Sequence, residues 1–260
     1  MTYDALYDLD HDHPLTLLAK GDGSMTSLAW EVLIVGMDLN RAIVEAHTPL
    51  IGVAIGPEGN LDAALAMIEA GASVDVALRY AHDRRRVELL LRLGANPQQV
   101  VDGGTLLHVR CGSAEADLDD TIGAVEALLD AGLDVNARDG NGWTPLLSAL
   151  YQNTTVDVMP LVERLVKRGA DLNSRTDDDE SALLVAATSG QVNATGYLLN
   201  RGADPAHALH HPGWANPAED HAELVREAMH LVELAYERQV LAGAAGDPPA
   251  GAEPSARRRL

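Results

Sequence analysis

The chain has no phenylalanine, and aromatic residues make up only 3% of its 260 residues. This excludes a core built around large rings. Ala, Leu and Val must fill the interior, which suits thin layers of closely packed helices. A single cysteine, Cys111, excludes an internal disulfide, and no C-x-x-C pair or His/Cys ligand spacing occurs. Lysine is nearly missing: of 19 basic residues only Lys20 and Lys167 are lysines, a bias that points to a bacterial source. Positive charge as a whole is scarce, with 39 Asp and Glu giving a formal charge of -20. Such a field repels phosphate backbones and anionic lipid. It argues against nucleic acid and membrane as partners and favours a basic protein. No apolar run approaches a membrane span, and Met1 to Asp10 has no apolar signal-peptide core. The cytoplasm is the expected compartment.

What the chain does have is repetition. One phrase places leucines or their equivalents before a Gly, a small residue and an Asp or Asn. It reads Met67-Ile68-Glu69-Ala70-Gly71-Ala72-Ser73-Val74-Asp75, then Leu90-Leu91-Arg92-Leu93-Gly94-Ala95-Asn96-Pro97. It continues as Leu128 to Asn136, Leu165 to Asn173 and Leu198 to Pro205, with a weaker first copy at Leu33 to Asn40. The glycines fall at 36, 71, 94, 132, 169 and 202. Each closes an amphipathic run, as a helix C-terminus does when glycine takes the left-handed conformation. A second phrase alternates with the first: His47-Thr48-Pro49-Leu50, Gly104-Thr105-Leu106-Leu107-His108 and Trp143-Thr144-Pro145-Leu146. Weaker copies begin at His13 and Ser181. Thr before Pro starts a helix, because the hydroxyl caps orphan amides and Pro loses nothing in the first turn.

Capped helix, loop, second helix and glycine turn, repeating at about 33 residues, resemble the ankyrin repeat. The resemblance covers about residues 13–205 and implies an all-α solenoid of about six helix-turn-helix repeats, with hairpin fingers between them. Residues 1–12 are an N-terminal extension. The third repeat, about 76–97, is truncated: Gly71 and Gly94 lie only 23 residues apart, which predicts a stunted first helix and no full finger. His207 to Pro217 reads as a loop. A helix then runs to about Leu241, closing 206–241 as a C-terminal cap, and the Gly/Ala/Pro-rich 242–260 reads as a disordered tail.

Catalytic motifs are not found. There is no phosphate loop, nucleophile elbow or H-E-x-x-H. Gly103-Gly104 sits in a repeat turn, Cys111 reads as buried core, and His108 falls where the resembled family places a structural histidine. No catalytic residue, cofactor or metal is expected. Asp177, Asp178, Asp179 and Glu180 lack the alternating ligands of a calcium loop and read as a finger tip. Arg84, Arg85 and Arg86, with Arg79 and Arg92, form a basic island read as a solvated loop paired with acids or as a contact to an acidic partner. The Arg257 to Arg259 run belongs to the tail.

In the resembled family partners sit on the concave face of fingers and first helices. The position before each T-P-L phrase falls on that face: here Asp12, His47, Gly104, Trp143 and Glu180. Trp143 is the expected aromatic anchor. Arg138, Asp139, Asn141, Arg175 and Asp177 to Glu180 would rim it. The chain therefore reads as a non-catalytic protein-interaction module for a basic partner, as an inhibitor, antidote or regulator. The alternative is an accessory or sensor protein binding a metal or small ligand through His207, His210 and His211.

Overall fold

Most of the described helices start where a short polar side chain can catch a free amide, and several end where glycine lets the chain turn back. The computed structural model describes residues 8–9, 43–44, 48–57, 59–113, 117–152, 157–215 and 222–245. Contacts group the chain into two compact units, residues 1–110 with 116–133, and residues 111–115 with 134–260.

In the first unit, two-residue strands form a small sheet of order β1-β2-β3: β1 (Asp8–Leu9), β2 (Ile43–Val44) and β3 (Thr48–Pro49). Helices α1 (Leu50–Ile55) and α2 (Leu61–Glu69) follow, then α3 (Val74–Tyr80) and α4 (Arg84–Arg92). A hairpin of β4 (Val100–Val101) and β5 (Gly104–Thr105) leads into α5 (Leu106–Gly112) and α6 (Leu118–Asp130). Leu50, Ile51, Met67, Leu78, Leu90, Leu107 and Leu128 are fully or almost fully buried. Burying one such side chain contributes about 1.5–3 kcal/mol. Gly52 lets α1 approach α3 closely, since a Cβ there would sit 2.9 Å from the Tyr80 ring.

The second unit repeats the plan: α7 (Pro145–Gln152) with α8 (Met159–Lys167), and α9 (Ala182–Thr188) with α10 (Val192–Asn200). After them come α11 (Pro205–His210), a 3-10 turn at Pro212–Ala215, and α12 (Ala222–Ala245). Thr144 and Ser181 cap α7 and α9 through the amides of Leu147 and Leu184. At the end of α8 the Gly169 amide bonds Val166 and the Ala170 amide bonds Leu165, both at 3.0 Å, with φ of Gly169 at 95°. Gly71, Gly94, Gly132 and Gly202 share that conformation, as their place in the repeated phrase requires. No helix among the described residues is long and apolar enough to cross a membrane.

Three expectations change. Helix α3 is not stunted: it has seven residues, as many as α5 and α9. Ser73 accepts from the Val76 amide and starts the helix two residues after Gly71, so the shortening removes the finger and spares the helix. The expected loop from His207 contains α11, opened by Asp204 accepting from the Ala206 amide with Pro205 in the first turn. The last helix runs to Ala245, beyond Leu241. The weak first repeat, Asp12, His47 and residues 246–260 lie outside the described residues.

Candidate protein-interaction site

The fingers of the second unit are built by main-chain polar groups. Asp139 accepts from the amides of Asn141 and Trp143, and its own amide bonds the Trp143 carbonyl, which closes the first finger. Gly142, with φ 78°, makes the tip turn possible. In the second finger the Thr176 amide bonds the Glu180 carbonyl, and Asp179 occupies the tip with φ 63°, a conformation glycine adopts freely and aspartate tolerates.

The two fingers are joined. The Asp177 amide donates to the Asn141 carbonyl at 3.0 Å. Arg138 donates to the Arg175 carbonyl at 2.7 Å and to the Asp177 carboxylate at 2.9 Å. Nearer the helices, Asn136 Nδ2 donates to the Gly169 carbonyl and Asn136 Oδ1 accepts from the Asp171 amide. Asp179 then bonds Arg175 and His207 Nε2, each at 3.0 Å. The hydrogen bond from His207, then that from Arg175, hold the Asp179 carboxyl below the usual carboxylate range, against a small opposing effect of desolvation.

Sequence reasoning treats these acids as one uniform rim; the structure divides them. Asp177 and Asp179 are matched to Arg138, Arg175 and His207. Among the described residues, the carboxylates of Asp178 and Glu180 meet no cationic side chain within ion-pair distance. Asp178 is exposed, and Glu180 is half-buried with Thr176 at 3.5 Å. The negative charge that projects from this finger therefore belongs to those two.

Trp143 is half-buried at the root of the first finger. Its ring meets Tyr151 edge-on, with centroids 5.0 Å apart and planes at 60°. Tyr151, at the end of α7, is 54% exposed. Sequence reasoning missed Tyr151. The available signal is its place: it follows Trp143 by two helical turns in a chain with six tyrosines. An edge-to-face pair of this kind contributes about 0.5–1.5 kcal/mol beyond burial and presents a shared apolar edge.

The histidines of the alternative, metal-binding reading are engaged with protein. His207 bonds Asp179, His210 Nδ1 bonds the Ala206 carbonyl, and His211 Nε2 bonds the Asp178 carbonyl. His211 Nδ1 also accepts from the Gly213 amide. Among the described residues no group of three His, Cys, Asp or Glu side chains is arranged to hold a metal. The metal-binding loop is thus not supported.

In α5, His108 is 8% exposed and its Nδ1 accepts from the Thr105 amide, while Cys111 is fully buried. The arginine island lies on a helix: Arg84 to Arg86 open α4 behind the capping residue Asp83. Arg84 pairs with Glu88, Glu126 and Asp130, and Arg86 pairs with Asp83. Burial and then Arg86 push the His82 ring below its ordinary value of 6.5; Asp83 and Asp120 pull against them.

The family model for ankyrin repeats, in three copies, matches residues 114–208. The chain is 37% identical over 101 residues to the neurogenic locus Notch protein of Drosophila melanogaster, a match covering 38% of this chain and 3% of that protein. It is 32% identical over 108 residues to a putative ankyrin repeat protein of fowlpox virus (strain NVSL), covering 41% and 29%. It is 37% identical over 90 residues to the ankyrin repeat, SAM and basic leucine zipper domain-containing protein 1 of Neofelis nebulosa, covering 32% and 18%. The chain spans less than a third of the length of these relatives. With the capped helix pairs and glycine turns described above, the matches identify ankyrin repeats over residues 114–208 of the chain.

Proposed function

We propose that the chain is a non-catalytic protein-interaction module whose finger side, around Trp143 and Tyr151, takes a basic protein partner. The observation that carries this reading is the exposed Trp143–Tyr151 edge beside a hydrogen-bonded pair of fingers. Aromatic side chains in such positions supply much of the binding energy of interfaces. The net charge of -20 steers a cationic partner toward the chain, and Asp178 and Glu180 offer carboxylates that no cation among the described residues neutralises. A Lys or Arg beside an apolar side chain is the chemistry such a patch recognises. Masking a basic protein in this way suits an inhibitor, antidote or regulator of a bacterial cytoplasm. In this reading α12 serves as the cap of an array of about six repeats.

The test uses Tyr151→Ala and Trp143→Ala, since the exposure of Tyr151 makes its loss tolerable to the fold. A protein captured by the wild-type chain is purified and its affinity measured at about 50 mM and about 300 mM salt. The reading expects weakening by more than about 2 kcal/mol in Trp143→Ala, a smaller loss in Tyr151→Ala, and weaker binding at high salt. Equal affinity of both folded variants and wild type would overturn it.

A further inference from the structure

Helix α12 is longer than anything it packs against. Its 24 residues span about 36 Å, while the nine of α10 span about 14 Å. It packs on α9, α10 and α11, and the fully buried part of its inner face is short: Val225, Ala228 and Val232. From Glu237 to Leu241 every residue is exposed. An overhang of this size gains little from the rest of the fold, and short helices are marginal in water without tertiary packing.

The helix also carries a second apolar stripe, which reaches into the overhang at Leu241. Leu224, Leu231, Leu234 and Leu241 repeat at spacings of seven, three and seven, the a/d pattern of a helix-pairing seam. At 100° per residue this seam lies more than a quarter turn away from Val225, Ala228 and Val232. Leu224 is 44% exposed and Leu241 69%, whereas Leu231 and Leu234 are half-buried. Arg238 lies on the seam between Leu234 and Leu241, and Glu237 flanks it.

We propose that the outer half of this stripe of α12, around Leu234 and Leu241, is the interface with a second copy of the chain, paired antiparallel about a two-fold axis near residues 237 and 238. The charges select this occupant and this direction. In a parallel pair Arg238, on the seam, would face Arg238. Under the antiparallel two-fold, Glu237 of each copy meets Arg238 of the other, and Leu234 meets Leu241. The helix is thus complementary to itself in charge and in apolar pattern. The stripe shares no residue with the fingers, so two copies would present two finger surfaces.

The test is sedimentation equilibrium of the full chain over a concentration series. The expected result is a reversible rise from the monomer mass to twice that mass. Leu241→Asp, at an exposed position, should raise the dissociation constant more than tenfold while leaving the circular dichroism unchanged. Arg238→Glu should do the same. The double swap Glu237→Arg with Arg238→Glu restores the crossed pairs and should recover dimerisation. A chain that stays monomeric up to about 1 mM overturns the proposal, as does a dimer that Leu241→Asp and Arg238→Glu leave intact. Failure of the double swap to recover dimerisation overturns the antiparallel pairing.

Discussion

Replacing Gly142 by alanine should damage the second unit more than replacing Gly169, although both glycines have positive φ. At Gly169 an added Cβ meets nothing within 4 Å. The cost there is conformational alone, about 1–2 kcal/mol for an L-residue on the left-handed side. At Gly142 the same Cβ would run into the Arg138 guanidinium and the Asp177 carboxylate, and would stand 2.8 Å from the Asp177 amide. The finger must open to make room. That loses the Asp177–Asn141 main-chain hydrogen bond, worth about 1 kcal/mol net. It also loses the exposed Arg138–Asp177 pair, worth at most about 1 kcal/mol. Gly142→Ala should therefore cost about 2–4 kcal/mol against about 1–2 for Gly169→Ala. Urea denaturation followed by circular dichroism measures both, and amide exchange of Asp177 reports the opening directly. Equal losses in the two variants, with the Asp177 amide still protected in Gly142→Ala, would refute the finger-locking argument.

Other consequences follow from the same geometry. Because the His82 ring is held below 6.5, the unfolded chain binds a proton between that value and the lower folded one, so stability must fall as pH falls through the window. His82→Asn should show a smaller drop in urea midpoint from about pH 7.5 to about pH 5.5 than wild type, and an equal drop would remove His82 as a cause. Cys111 should resist a thiol reagent in the folded chain and react once urea unfolds it; fast native labelling would contradict its burial. Asp178→Lys should slow association with a basic partner more than Asp177→Lys, since Arg138 already neutralises Asp177; stopped-flow rates in the reverse order would contradict the division of the rim.

Much of the fold can be read from the sequence because its signals are local. A Thr or Ser cap and a positive-φ glycine each act within four residues, so Thr144, Ser181, Gly169 and Gly202 mark helix ends without knowledge of the rest. The misreadings arise where the same signals were weighed against spacing. Ser73 caps α3 as Ser181 caps α9, yet the short interval from Gly71 to Gly94 suggested a shortened helix. Asp204-Pro205 starts α11 by the rule that starts α7 at Thr144-Pro145, yet the histidines after it suggested a loop. The site is less legible because its chemistry is tertiary. Which of the four acids from Asp177 to Glu180 meets a cation depends on Arg138, 39 residues away from Asp177, and on His207, 28 residues from Asp179. Tyr151 was visible only as an aromatic at a helix end. The two faces of α12 appear in the sequence as apolar positions, but only the extent of burial separates the packed face from the exposed one.

The central claim is that the finger side of the second unit binds a protein partner. Hydrogen exchange on the chain with and without its captured partner tests it most directly. The account predicts added protection of amides in residues 138–151 and 175–181, and its loss in Trp143→Ala. Protection confined to the turns between first and second helices, with the finger amides unchanged, would contradict it.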